Sequence, residues 1–173
     1  MEREAIQQLY EWKKRTNRKP LIIRGARQVG KTWLMMEFAK KAFAKWVYIN
    51  FEDEEMLKHL FEPDFNITRI LTAIGVRFQV DIDEETLLIF DEIQAAPRGI
   101  TSLKYFYEKA PQYPVITAGS LLGIAMHSGD SFPVGKVDFL NLQPLSFKEF
   151  LAATGNEKLA KLILDGAWDS LSY

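Results

Sequence analysis

One stretch constrains this chain more than any other: Gly25-Ala26-Arg27-Gln28-Val29-Gly30-Lys31-Thr32, which matches the pattern G-x-x-x-x-G-K-[ST] at each fixed position. A pattern this short also occurs by chance, so its neighbours decide its weight. Pro20 introduces Leu21-Ile22-Ile23, a compact apolar run of the kind a buried parallel strand needs. Downstream, Trp33 to Phe43 is rich in good helix formers and carries apolar residues at helical spacing. Strand, glycine loop and helix thus follow in the order a phosphate cradle requires. The glycines let backbone N–H groups turn inward around an anion, and the new helix presents its positive end to the same place. Lys31 is then positioned for the β- and γ-phosphates of a nucleotide, and the Thr32 hydroxyl for a magnesium ion. Gly25, Ala26, Arg27, Gln28, Val29 and Gly30 form the rest of the candidate nucleotide-binding set, with Trp33 as its last member. A glycine turn that merely precedes a helix is the plainer alternative, and the matched context weighs against it.

A second stretch completes the first. Leu87-Leu88-Ile89-Phe90-Asp91-Glu92 is an apolar run ending in two carboxylates. A central buried strand of this kind carries its acids to the carboxyl edge of the sheet, where ligands of open α/β sheets bind. Asp91 would hold magnesium through its coordination shell, and Glu92 would polarise a water for attack on the γ-phosphate. Neighbouring strand residues point to opposite faces, but at a strand end the chain is turning, so both acids can face one site. An apolar strand that ends in acids is common by itself; its pairing with the loop gives it meaning.

Composition narrows the alternatives. With 173 residues and 47% hydrophobic content, the chain suffices for one domain with its own core. A net charge of −1 supplies no basic field to attract nucleic acid. Without cysteine there is no disulfide framework, thiolate metal site or thiol nucleophile, and zinc would lack its usual ligands, since only His59 and His127 remain. No apolar run approaches the length of a membrane span, and Met1-Glu2-Arg3-Glu4 does not begin a leader peptide, which points to the cytoplasm.

Elsewhere the pattern is organisational. Ile6, Leu9, Tyr10 and Trp12 suggest a short amphipathic helix, and the basic cluster from Lys13 to Lys19 reads as its solvated end. Trp46 to Phe51 predicts a second strand, with Asn50 at its end as a site candidate or a plain turn residue. Residues 56–80 predict two helices split by Pro63, one carrying Met56, Leu57, Leu60 and Phe61, the other starting near Asn66. Arg98 is a candidate phosphate contact or a surface arginine. Pro114 to Ala118 predicts a fourth strand that leads to Ser120, placed to sense a γ-phosphate or to cap the next helix. Lys136 to Leu142 alternates like a fifth strand, Ser146 and Glu149 form a capping-box pair, and 157–164 predicts a last helix.

Taken together, the glycine loop, Tyr48-Ile49-Asn50-Phe51-Glu52, Leu88 to Gln94, Thr117-Ala118-Gly119-Ser120 and Pro144 to Phe150 resemble one family. It comprises bacterial and archaeal AAA-type ATPases, similar to archaeal ATPases of the STAND-like branch, in which a second domain of unknown function follows the ATPase domain. The resemblance covers about Lys19 to Leu151. It implies that Lys31 and Thr32 bind phosphate and magnesium, that Asp91 and Glu92 form the Walker B pair, that Ser120 stands at the first sensor, and that Asn50 positions water or the catalytic carboxylate. Trp33 departs from the small or hydroxyl residue usual there, and against the length usual in the family these 173 residues are expected to be a fragment truncated before a lid and a second domain.

The expected fold is a three-layer α/β/α P-loop NTPase domain over residues 1–173 with a mostly parallel five-stranded sheet, in the order 5-1-4-3-2 that the resemblance implies. The expected function is magnesium-dependent hydrolysis of ATP, with Glu92, Lys31, Ser120 and Asn50 as catalytic residues and Thr32 and Asp91 as metal ligands. The work would be conformational change of a C-terminal domain or another protein partner, with homo-oligomerisation implied by the family. A nucleotide-gated scaffold is the alternative. A GTPase is disfavoured, since neither D-x-x-G after the acid strand nor [NT]-K-x-D occurs. A small-molecule phosphotransferase would need an acceptor pocket and lid that the sequence does not display.

Overall fold

Short apolar runs separated by amphipathic helices leave little choice but a parallel sheet, because parallel neighbours must be joined by crossovers. The computed structural model describes residues 3–119, 132–156 and 161. Within them the strands are β1 (Leu21–Arg24), β2 (Lys45–Asn50), β3 (Thr86–Asp91), β4 (Val115–Ala118) and β5 (Asp138–Asn141). They form one sheet in the order β2-β3-β4-β1-β5, the expected order read from its other edge. All described pairings are parallel, so the sheet is parallel throughout rather than mostly so.

Helices cover both faces: α1 (Ala5–Lys14), α2 (Lys31–Ala42), α3 (Ile67–Phe78), α4 (Gly99–Lys109) and α5 (Phe147–Ala153). The period-two alternation of the strands divides the core accordingly. Ile23, Leu87, Ile89, Ile116 and Leu140 pack with Leu34 and Phe38 of α2 and Leu9 and Trp12 of α1. Ile22, Leu88, Phe90 and Val115 pack with Ile70 and Ile74 of α3 and Leu103 and Phe106 of α4. Phe90 is the hub of the second layer, with the rings of Phe51, Phe61 and Phe106 at 5.7, 6.0 and 5.8 Å. Every residue of β3 is buried, which explains why that run carries no alternation in sequence.

Local signals fix the helix ends. Asn66 caps α3 by accepting the Arg69 N–H at 3.2 Å. Ser146 and Glu149 exchange the two bonds of a capping box, Glu149 N–H to Ser146 Oγ at 3.2 Å and Ser146 N–H to Glu149 Oε2 at 2.9 Å. The helix expected around Met56 to Phe61 does not form. Its backbone instead makes a chain of tight turns, with Leu57 N–H on Glu54 O, Leu60 N–H on Leu57 O and Glu62 N–H on His59 O. Burial of Leu57, Leu60 and Phe61 needs only that those three reach the core, and Met56 is left 79% exposed. Pro63 follows too soon for a longer helix to propagate. Of the helix expected over 157–164 only Lys161 is described, in helical conformation, and the cap role of Ser120 lies outside the described residues.

Candidate functional site

Three strand ends converge on the site. At the end of β1 the chain turns into the loop at Gly25, where a Cβ would stand 2.5 Å from the Leu142 carbonyl oxygen. Only glycine fits there without backbone movement. The loop ends at Gly30, whose φ of 91° is the left-handed region open to glycine, and Gly30 O takes the first bond of α2 from Leu34 N–H at 2.9 Å. Gln28 is also left-handed, at φ 63°. Lys31, buried at the head of α2, folds back so that its ammonium donates to Gly25 O at 3.0 Å and Ala26 O at 2.8 Å.

Beneath the loop lies Asp91, 3% exposed at the end of β3. Its Oδ2 accepts the Thr32 hydroxyl at 2.7 Å and the Tyr48 phenol at 2.9 Å, and its Oδ1 accepts the Glu92 N–H at 3.1 Å. Burial of a carboxylate is costly, and three donors offset the lost hydration. Tyr48 in turn is held well above the usual phenol range, first by burial and then by the neighbouring Asp91 charge and hydrogen bond. Thus the phenol remains a donor at neutral pH.

Glu92 follows in a left-handed conformation, φ 47° and ψ 44°. That turn of the backbone is what allows two consecutive acids to serve one site. It is a strained conformation for a non-glycine residue, of the sort that clusters at functional sites, at a cost of about 1–2 kcal/mol. The Gln94 side-chain amide donates to the Glu92 carboxylate. Arg27, Gln28, Gly30, Lys31 and Thr32 on one side, and Glu92 and Glu52 on the other, enclose a cavity of about 480 Å³. A cavity of the same size lies between α3 and α4, but its charged residues are only Asp81 and Lys109 and it has no phosphate-binding loop.

Among the sequence candidates, the structure therefore brings Arg27, Gln28, Gly30, Lys31, Thr32 and Glu92 to one cavity, with Asp91 below them. Gly25 and Ala26 shape the loop rather than its mouth. Val29 turns its carbonyl outward to the Arg3 guanidinium at 3.2 Å. Trp33 is half-buried against the α1–α2 layer. Asn50 stands beside Asp91 in the strand register, yet its side chain serves the turn after β2, accepting Glu52 N–H at 3.1 Å and donating to Asp53. That is the plain turn role, and it sets Glu52 at the cavity. Arg98 points elsewhere, over the Phe65 ring at 4.2 Å and onto Glu62 O. Ser120 lies outside the described residues.

Sequence reasoning overlooked Tyr48 and Gln94. Tyr48 sits two residues before Asn50 on the same strand face, so the period of two was a usable signal. Gln94 is visible only once the left-handed turn at Glu92 is known.

Metal fit follows from the donor set. Thr32 and Asp91 offer one hydroxyl and one carboxylate, and among the described residues no group of three or more His, Cys, Asp or Glu gathers to cage a cation. Such a sparse oxygen set suits magnesium, which keeps waters and takes nucleotide oxygens to complete its shell. No helix among the described residues is long and apolar enough to cross a membrane.

Comparison with known proteins follows the same lines. A family model described as "AAA domain" matches residues 17–151. The Walker-type ATPase PABY2304 of Pyrococcus abyssi is similar in structure, with a TM-score of 0.55 and 18% identity, over 92% of this chain and 62% of that one. The ORC1 protein of Aeropyrum pernix, solved in complex with DNA, is similar with a TM-score of 0.51 and 13% identity, over 88% of this chain and 48% of that one. The chain thus spans less than two thirds of either. No curated protein matches it.

Proposed function

The chain belongs to the AAA domain family, and from that premise we propose that it binds ATP with magnesium and hydrolyses it to ADP and phosphate. One observation carries the reading: the Thr32 hydroxyl lies 2.7 Å from the buried Asp91 carboxylate, at the floor of the cavity that Lys31 and Glu92 line. Glycine loop, hydroxyl and strand-end acid are the parts that phosphoryl transfer needs in one place.

Lys31 spends two of its three N–H donors on loop carbonyls and keeps one for a phosphate oxygen. Thr32 and Asp91 are the residues to hold magnesium, which when bound would neutralise charge on the phosphate oxygens. Glu92 accepts a proton from the attacking water, whose oxygen bonds to the γ-phosphorus while the bond to the β–γ bridging oxygen breaks. Gln94 holds the Glu92 carboxylate in place for that transfer. An arginine from a lid or a neighbouring subunit would complete the charge stabilisation, which makes homo-oligomerisation part of the proposal. The output we assign is movement of a C-terminal domain, and the place of action is the cytoplasm.

A second reading has its own support. Because Gln94 already occupies the Glu92 carboxylate, the domain could bind ATP as a scaffold and turn it over little. Phosphate release by the wild type and by Glu92→Gln separates the two. The ATPase reading expects turnover to drop about 100-fold or more with ATP binding retained. Equal, negligible release from both proteins would favour the scaffold.

A further inference from the structure

Arg3 lies outside both the family match and the sequence candidates, yet it is 4% exposed and its guanidinium reaches the back of the nucleotide loop and the segment after β5. One terminal nitrogen donates to Val29 O at 3.2 Å, the other to Gln143 O at 2.6 Å, and Nε stands 3.4 Å from Glu149 Oε1. Glu149 is itself held by the N–H groups of Glu4 and Ser146, at 3.0 and 2.9 Å. A buried ion pair of this kind seldom adds much net stability over a well-packed apolar pair. Its geometry suggests a different use.

A trans peptide is planar, so its carbonyl and its N–H point in opposite directions. Holding Val29 O outward on Arg3 turns the Gly30 N–H the other way, toward the side on which Gly30 lines the cavity. Glycine at position 30, with φ at 91°, leaves that peptide the freest of the loop to rotate, and a fixed partner removes the freedom. The charge is close as well, since the Arg3 nitrogen lies 3.9 Å from where a Gly30 Cβ would be. The other end of the loop leans on the same segment, through Gly25 against Leu142 O.

We propose that Arg3 is a positioning residue of the phosphate cradle: it fixes the Val29–Gly30 peptide with its N–H toward the nucleotide and sets a guanidinium against the back of the loop at Gly30. The proposal rests on reading the loop as the ATP site. It makes the amino terminus and the β5–α5 connection part of the nucleotide-binding unit.

The test is titration of fluorescent ATP with magnesium into the full chain, as wild type, Lys31→Ala, Arg3→Gln, Arg3→Lys and Glu149→Gln, each with its thermal melting curve. Arg3→Gln is expected to weaken binding about tenfold, because a charge-assisted bond and a nearby charge are both lost. Arg3→Lys restores the charge without the fork and is expected to recover part of the affinity. Glu149→Gln removes the ion pair but not the Val29 contact, so Tm falls while affinity stays within about twofold. Wild-type affinity in Arg3→Gln overturns the proposal, and so does an equal loss in Glu149→Gln, which would make the role merely structural. Should Arg3→Gln not fold, Arg3→Lys decides: a loss of about threefold or more supports the proposal, and unchanged affinity overturns it. Binding that is absent in the wild type, or equal in Lys31→Ala, defeats the ATP-site reading itself and the Arg3 role with it.

Discussion

The two ends of the β2–β3 pair use the same chemical parts to different purpose. At the amino ends the register sets Lys45 beside Thr86, and at the carboxyl ends it sets Asn50 beside Asp91. Each end has a carboxylate that collects a threonine hydroxyl and a backbone N–H. Asp83 accepts Thr86 Oγ1 at 2.8 Å and Glu85 N–H at 3.1 Å, and it pairs with Lys45. Asp91 accepts Thr32 Oγ1 at 2.7 Å, Glu92 N–H at 3.1 Å and the Tyr48 phenol. The contrast is in setting. Asp83 is 44% exposed and answered by a cation, so it closes a turn in water. Asp91 is buried, these three donors are all neutral groups, and the hydroxyl comes from the glycine loop 59 positions away in sequence. A satisfied carboxylate is therefore not the mark of a site; a buried one whose partners arrive from the loop and a second strand is.

Three substitutions sharpen this contrast, and their effects decline in order. Asp91→Ala leaves the Tyr48 hydroxyl and the Glu92 N–H without their acceptor at a part-buried site, at a cost of about 3 kcal/mol read from denaturant unfolding. The same variant should lose the magnesium-dependent part of its ATP affinity. A change near zero in both would show that the carboxyl end is no different from the amino end.

Tyr48→Phe deletes one donor to a charged acceptor, and a loss of about 1–2 kcal/mol is expected. Its pH dependence has a definite sign. The folded phenol is raised above its ordinary value, so its contribution is fully present below the ordinary phenol range near pH 10 and is lost only as pH rises through the raised value. The gap between wild type and variant should thus be flat from neutrality to about pH 10. A gap that closes before then would detach Tyr48 from Asp91.

Asp83→Asn should have the smallest effect, a slight fall in Tm that added salt erases. Here Lys45, by its hydrogen bond, and then Thr86 hold the folded carboxyl below the ordinary range. A depressed carboxyl contributes above its unfolded pKa, so the difference from wild type is present at neutral pH. It disappears as pH falls below about 4. A large, salt-insensitive effect would mean that the amino end depends on its carboxylate as heavily as the carboxyl end does.

Much of the fold was legible because it is written in run lengths. The apolar stretch before Gly25 and the one before Asp91 fall on β1 and β3, and the Ser146–Glu149 spacing marks the start of α5. Strand order was another matter. Nothing in the residues of β5 says that it pairs with β1, and the order came from the family resemblance. Spacing misled at Met56 to Phe61, since burial of Leu57, Leu60 and Phe61 at i, i+3 and i+4 is met by successive turns as well as by a helix. In the site, the loop and the two acids could be read from local pattern alone. Arg3 could not, because it joins through a helix start brought against Val29 far along the chain; Tyr48 had the strand period as a signal but needed the pairing with β3 to reach Asp91, and Glu52 is set by a local turn that Asn50 closes. Asn50 shows the converse, a polar residue in the right register whose side chain is taken by its own turn.

The most direct test of the central claim is titration of ATP, with and without magnesium, into the wild type and Lys31→Ala, with GTP as the competing nucleotide. Magnesium-supported binding that prefers ATP and collapses in Lys31→Ala is the expected result. Equal binding by the two proteins, or none by the wild type, would contradict the assignment of the glycine loop as the nucleotide site.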